Sequence, residues 1–138
     1  KPGVTALLAF LKKNGIRLSV ASSTNLKSTK AHLSESGILD AFEVVVGGDM
    51  VSKGKPNPDI FLKAAELLGL APQECIVVED SPAGIRAAHA AGMRRILVPD
   101  LAAITREVID MSDVVLESLL EMPAYMEELL KGASYERV

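Results

Sequence analysis

The sequence has a single cysteine, no long apolar run and no excess of basic residues. Cys75 has no second thiol to pair with, which excludes an internal disulfide framework and a zinc site built on several thiolates. No stretch approaches the roughly 20 apolar residues of a membrane span, and no signal-like segment opens the chain. Fifteen basic and eighteen acidic residues give a formal net charge of −3. We therefore expect a cytoplasmic domain whose partner is neither nucleic acid nor a membrane surface.

The chain is long and apolar enough for one domain with a core. It has 138 residues, of which 49% are hydrophobic. Apolar spacing together with glycine and proline breaks predicts helices at 2–14, 26–36, 60–68, 82–91 and 101–109, and a last one after Ser118 that Pro123 kinks or restarts. Short apolar strands are predicted at 17–22, 42–46, 75–78, 95–98 and 113–116. This alternation predicts an α/β fold with a parallel sheet covered on both faces.

Ligands of such sheets bind beyond the carboxyl ends of the strands. The first predicted strand ends at Ser22, and Ser23, Thr24 and Asn25 follow at the start of a predicted helix. Backbone amides at a helix start bind anions, and a hydroxyl adds one more donor, so these four residues are candidates for phosphate binding. The alternative is that they only cap the helix.

An acidic pair follows the third predicted strand. Glu79 and Asp80 come directly after the apolar run 76–78, where unpaired carboxylates are costly. Oxygen ligands beside a phosphate-bearing substrate suit Mg²⁺. Since neighbouring strand residues point to opposite faces, we expect one carboxylate to face the metal more directly, and we favour Asp80. The alternative is that Asp80 and Ser81 only cap the next helix.

Lys55 lies between Gly54 and Pro56 in a predicted loop, 51–59, that contains two prolines. An ammonium group there can neutralise a phosphoryl oxygen and a nearby carboxylate. The alternative is a solvated loop lysine such as Lys53, which lies in the same loop. The order serine, lysine-proline, acidic pair at successive strand ends is more specific than any one of these signals.

Four segments carry a family resemblance: PGV at 2–4, VASS at 20–23, GKPNPDIF at 54–61 and VEDSPAGI at 78–85. In this order they resemble the C-terminal part of the core of haloacid dehalogenase-like hydrolases, of the β-phosphoglucomutase and phosphoglycolate phosphatase type. The resemblance implies a doubly wound, Rossmann-like parallel sheet and Mg²⁺-dependent phosphoryl transfer from a small phosphorylated metabolite through an aspartyl-phosphate. It implies that Ser22 binds the phosphoryl group and Lys55 steadies its charge. Asp80, with Glu79, would hold the metal, and Gly84 would let its helix approach the site.

The sequence departs from the family pattern in one respect. The family nucleophile is the first aspartate of an Asp-x-Asp motif on an N-terminal strand, followed by a helical cap, and no Asp-x-Asp occurs in the 138 residues. The resemblance implies that the strand carrying it lies in the middle of the sheet, between the Ser22 and Asp80 strands. We therefore expect residues 1–138 to be a partial core domain that is inactive alone and is completed by an upstream segment. The first residue, Lys1, and a helix as first predicted element agree with that expectation.

Two other interpretations stay open at this stage. A non-catalytic receiver-like domain also combines an acidic pair, a hydroxyl and a Lys-Pro, but it carries the acidic pair first and the lysine last, the reverse of the order here. The second interpretation is a split or degenerate protein that binds phosphate without hydrolysing it. The substrate and the choice between phosphatase and mutase are not encoded in these residues, because the cap and the motif that set them are absent.

Overall fold

The structure is a computed structural model, and it describes residues 2–99 and 104–136. The helices are α1 (Val4–Lys13), α2 (Leu26–Glu35), α3 (Asp59–Leu68), α4 (Pro82–Ala91), α5 (Arg106–Met111) and α6 (Met122–Glu136). The strands are β1 (Ser19–Ala21), β2 (Val44–Val46), β3 (Ile76–Glu79), β4 (Arg94–Leu97) and β5 (Val114–Val115). Short 3₁₀ turns lie at Leu39–Ala41, Gly48–Met50, Pro72–Glu74 and Leu119–Glu121. Among the described helices, none has the length and apolar character needed to cross a bilayer.

The described strands form two parallel sheets, not one continuous sheet. β1 pairs with β2, with Val20 opposite Val45, and the second sheet has the order β3-β4-β5, with Val78 opposite Ile96. All pairs are parallel, as predicted, and each is joined by a helical connection. The α/β prediction is confirmed.

Helices cover both faces of the sheets, and the apolar cluster on each face contains residues from both sheets. One apolar cluster joins Val46 of β2 and Val77 of β3 to the helices α3 and α4. A second cluster joins Leu18, beside β1, and Ile76 of β3 to α1 and α6. Because the adjacent residues Ile76 and Val77 point to opposite faces, these clusters are the two covering layers of a doubly wound fold.

The ends of the helices follow the glycine and capping signals in the sequence. Gly69 and Gly92 adopt φ values of +72° and +77° and end α3 and α4. Ser81 caps α4 by accepting a hydrogen bond from the amide of Gly84, with Pro82 as first helical residue. Pro123 lies in the first turn of α6, which restarts after the preceding 3₁₀ turn.

Two sets of predicted boundaries need correction. The helix predicted at 101–109 begins later, at Arg106, because Thr105 caps it by accepting a hydrogen bond from the amide of Val108; residues 101–103 of that prediction lie outside the described residues. β1, β2 and β5 are shorter than predicted, β1 by half, because regular ladder geometry covers only Ser19–Ala21 of its apolar run. β3 and β4 have the predicted length but are shifted by one residue, to 76–79 and 94–97.

Candidate active site

Lys55 joins the carboxyl ends of the two sheets. Its ammonium group donates to the Ala21 carbonyl at the end of β1 (3.3 Å) and to the Glu79 carboxylate at the end of β3 (2.7 Å). It also lies 5.0 Å from the centre of the Phe61 ring, a cation–π distance. The Lys55 and Glu79 side chains are each 12% exposed. The solvated-lysine alternative is therefore wrong, because this cation is largely removed from water and held between three partners.

Glu79 is fixed by the start of α4. Its second carboxylate oxygen accepts a hydrogen bond from the Ser81 hydroxyl at 3.0 Å, while Ser81 itself caps Gly84. A Cβ atom on Gly84 would lie 1.9 Å from that same Glu79 oxygen, so only glycine leaves room for the carboxylate in this position. Ion pairing to Lys55 and the serine hydroxyl together satisfy a carboxylate that would be costly to bury alone.

Asp80 lies beside the Lys55–Glu79 pair and lines a cavity of about 240 Å³. Val78, Glu79, Val98 and Leu119 form the rest of the lining. Val78 is 40% exposed, an unusual value for an apolar strand residue in the middle of the chain. Two acidic and three apolar residues therefore line the cavity.

The segment Ser22–Asn25 follows β1 directly, so it lies next to the Ala21 carbonyl that Lys55 binds. The Ser22 oxygen accepts a hydrogen bond from the amide of Thr24 at 3.1 Å, which leaves the hydroxyl proton available for another acceptor. Asn25 is the N-cap of α2, its side-chain oxygen accepting from the amide of Ser28 at 2.8 Å. The capping interpretation thus holds for the Asn25 side chain, while Ser22 keeps a free donor.

The structure brings the separated sequence motifs to one end of the molecule. Ser22, Lys55, Glu79 and Asp80 all lie at or just beyond the carboxyl ends of β1 and β3, as expected for a parallel sheet. Lys53 has no such placement, being exposed in the loop.

Three contributors to this end of the molecule were not foreseen. They are Phe61, whose ring lies near the Lys55 ammonium, and Ser81, whose hydroxyl donates to Glu79. The third is Asp49, whose carboxylate accepts a hydrogen bond from the amide of Leu26. Phe61 follows Lys55 in the motif GKPNPDIF, so the aromatic residue was visible in sequence although its contact was not.

The donor set fits a magnesium ion in part. Glu79 and Asp80 supply hard oxygen ligands, and Mg²⁺ in proteins commonly uses one or two carboxylates together with water and substrate oxygens. Within residues 2–99 and 104–136, no cluster of three or more His, Cys, Asp or Glu side chains is arranged to hold a metal. Two carboxylates at one strand end therefore match a magnesium site only if water, substrate or other oxygen ligands complete the coordination.

Comparisons with known proteins agree with this arrangement. The family described as haloacid dehalogenase-like hydrolase matches residues 1–92. The chain is 45% identical over 118 residues to hexitol phosphatase A of Escherichia coli (strain K12), covering 86% of this chain and 53% of that protein. It is 39% identical over 126 residues to β-phosphoglucomutase of Bacillus subtilis (strain 168), covering 87% of this chain and 54% of that protein.

A solved structure gives the same fold. The crystal structure of CbbY from Rhodobacter sphaeroides in complex with phosphate superposes with a TM-score of 0.80 at 37% identity, over 88% of this chain and 55% of that one. The chain thus spans about half the length of the relatives that it matches. The match favours the phosphatase-type interpretation over the receiver-like one. The chain belongs to the haloacid dehalogenase-like hydrolase family.

Proposed function

We propose that the intact protein transfers a phosphoryl group from a small phosphorylated metabolite, as a phosphatase or sugar-phosphate mutase, with Mg²⁺ and through an aspartyl-phosphate. The attacking aspartate would lie on a segment outside these 138 residues, since no Asp-x-Asp is present in them. The observation that carries the proposal is the Lys55 ammonium, held between Ala21 and Glu79 at the ends of β1 and β3, the chain neighbours of Ser22 and Asp80. A cytoplasmic location is proposed with it.

Ser22 and Lys55 would bind the phosphoryl group. A lysine ammonium has three N–H donors, and Ala21 and Glu79 take two of them, so one remains for a phosphoryl oxygen. The Ser22 hydroxyl would donate to a second oxygen, and the amide of Ser23, an exposed residue just before α2, would add a backbone donor at the N-terminus of that helix. These donors are already in place before substrate arrives, which is the arrangement that lowers the energy of charge in a transition state.

Asp80, with Glu79, would hold the magnesium ion. Bound there, the ion would supply positive charge to the oxygens of the transferring group. Glu79 would at the same time keep Lys55 in position through the 2.7 Å ion pair.

In the proposed reaction the aspartate oxygen attacks phosphorus and the bond from phosphorus to the ester oxygen breaks. The leaving alcohol takes a proton, and an aspartyl-phosphate remains. Water then attacks that phosphorus, releasing inorganic phosphate and restoring the carboxylate. In a mutase, a sugar hydroxyl replaces the water.

The strand that carries the aspartate would lie between β1 and β3. In β1, the Leu18 carbonyl accepts from the Glu43 amide and the Ser22 amide donates to the Val46 carbonyl, so the backbone groups of these residues face β2. Because the direction alternates along a strand, the backbone groups of Ser19 and Ala21 face the opposite edge. The bonds from Arg94 to the Cys75 carbonyl and from Val98 to the Glu79 carbonyl leave the backbone of Ile76 and Val78 on the free edge of β3 in the same way. These two free edges border the gap that Lys55 crosses, and one extended segment between them would satisfy both.

The proposal is tested with a generic phosphomonoester and Mg²⁺, using the 138-residue chain and a form extended upstream. We expect turnover only in the extended form, because the chain lacks the attacking carboxylate. Lys55→Ala and Asp80→Ala should each remove most of that turnover, whereas Lys53→Ala, the same change in the same loop, should leave it intact. Activity that survives Lys55→Ala and Asp80→Ala together would reject the assignment.

A further inference from the structure

The segment Ser22–Asn25 has an exposed tip that needs outside support. Ser23, Thr24 and Asn25 are exposed, and besides the two short-range bonds to Ser22 and Asn25 described above, α2 supports the segment through Thr29, whose hydroxyl donates to the Asn25 carbonyl at 2.8 Å and to the Thr24 carbonyl at 3.3 Å. Such a segment would sample several positions unless a neighbouring element held it. The neighbour is the turn that follows β2, Gly47–Met50, which we term the clamp turn.

Two hydrogen bonds join the clamp turn to the segment. The amide of Gly48 donates to the Thr24 carbonyl at 2.8 Å. The carboxylate of Asp49 accepts from the amide of Leu26, the first residue of α2, at 2.9 Å. The segment is thereby held on both sides of Asn25.

Two glycines let the clamp turn press directly against the segment. A Cβ atom on Gly47 would lie 2.3 Å from the Leu26 nitrogen, and one on Gly48 would lie 2.2 Å from the Ser23 carbonyl oxygen. Both neighbours are backbone atoms, which cannot move aside as a flexible side chain can. Backbone packs on backbone here, so the position of one loop fixes that of the other.

The clamp turn is itself anchored in the core. Val46, just before it, is 0% exposed, and Met50 and Val51 pack against the cluster under α3 and α4. The Met50 sulfur also accepts from the amide of Gly47 at 3.3 Å. Asp49 is therefore an exposed carboxylate on a turn whose two ends are fixed.

We propose that Asp49 is a positioning residue for phosphate binding: by holding the Leu26 amide it aims the Ser22 hydroxyl and the Ser23 amide at the phosphate. The inference rests on the proposed phosphate site. Asp49 acts as a hydrogen-bond acceptor and not through its charge, since a negative charge near a phosphate is unfavourable. An asparagine oxygen can accept the same hydrogen bond, so Asp49→Asn should preserve the function that Asp49→Ala removes.

The test is titration of the 138-residue chain with inorganic phosphate, followed through the NMR shifts of the Ser23 and Thr24 amides. In the unaltered chain we expect saturable shifts. Asp49→Ala should raise the phosphate Kd about fivefold or more, whereas Asp49→Asn should stay within about twofold. Asp40→Ala is the control, because it removes an exposed aspartate from another 3₁₀ turn and leaves the clamp turn intact. Its phosphate Kd should also stay within about twofold of that of the unaltered chain.

The outcomes separate the two proposals. If the unaltered chain binds phosphate and Asp49→Ala binds it equally well, Asp49 is not a positioning residue and the phosphate site stands. If Asp49→Asn loses binding as fully as Asp49→Ala, the acceptor role is wrong. If the unaltered chain gives no saturable shift at these amides, the phosphate site and the role of Asp49 are both rejected.

Discussion

Gly84 is the residue whose replacement best separates site geometry from stability. Alanine at this position puts a methyl group 1.9 Å from a Glu79 oxygen, and the flexible carboxylate must move away from Ser81 and Lys55. The helix itself gains up to about 1 kcal/mol from Gly→Ala, which offsets part of the cost of separating Glu79 from its two partners, so activity should fall by more than stability does. We expect Gly84→Ala to reduce the proposed phosphoryl-transfer activity of the extended form about tenfold or more, measured as kcat/KM alongside urea unfolding.

Gly54→Ala is the matched control for this change, because a Cβ there has no atom within 4 Å. It should leave both the activity and the unfolding midpoint unaltered. Full activity in Gly84→Ala would mean that the Glu79 position seen here is not needed for turnover.

Ser19 carries the one buried side-chain oxygen among the described residues that has no hydrogen-bond partner. Burying an unpaired hydroxyl costs about 1–3 kcal/mol. Ser19→Ala should therefore stabilise the 138-residue chain by about 1 kcal/mol in urea unfolding. Ala21→Ser on the same strand is the comparison, expected to destabilise because it adds a polar group to the packed cluster. Loss of stability in Ser19→Ala would indicate a partner for its hydroxyl.

At the scale of elements, one exposed ion pair connects three of them. Arg17, just before β1, donates to Glu43 before β2 at 2.9 Å and to the Leu68 carbonyl at the end of α3 at 2.8 Å. The hydrogen bond from Arg17 lowers the pKa of Glu43 below its ordinary value; desolvation, the second-largest effect, opposes this shift, and the arginine charge adds a smaller lowering. A lowered carboxyl pKa stabilises the fold above the unfolded-state pKa, and this contribution is lost as the pH falls through the folded-state pKa.

Arg17→Met should consequently raise the Glu43 pKa in an NMR titration. The difference in unfolding midpoint between the parent chain and Arg17→Met should be present at neutral pH and shrink on acidification. Lys131→Met, which breaks the exposed pair with Glu128, should leave the Glu43 titration unchanged. A Glu43 titration insensitive to Arg17→Met would contradict the ion pair.

The elements that the sequence predicted well are those with a local stop or start signal. Gly69 and Gly92 end their helices, and Ser81-Pro82 begins one, because left-handed backbone and capping chemistry act within a few residues. The start of α5 was placed wrongly since Thr105 was not identified as its cap. β1, β2 and β5 were predicted too long because strand propensity extends beyond the residues that pair with a neighbour, whereas β3 and β4 were shifted by one residue.

The sequence predicted that the candidate residues lie at one end of the molecule, but it did not predict their contacts. Chain order and family motifs pointed to Ser22, Lys55 and the Glu79-Asp80 pair. The Lys55–Glu79 ion pair and the bond from Leu26 to Asp49 join residues 24 and 23 positions apart. No local sequence pattern predicts such contacts, because helix packing and strand order determine which loops lie next to each other.

At the scale of the whole molecule, β1 and β3 each have one edge that pairs with no other described strand. Unpaired strand edges promote association with other chains, and Val78 adds an apolar side chain that is 40% exposed on one of them. We expect the 138-residue chain to self-associate with rising concentration, measured by analytical ultracentrifugation. Val78→Lys should reduce this, since a charge on an edge strand opposes pairing. Leu67→Lys, at a 46% exposed position on α3 away from either edge, should reduce it much less. A chain that stays monomeric at every concentration would show that these edges are protected, and would count against an open gap between the sheets.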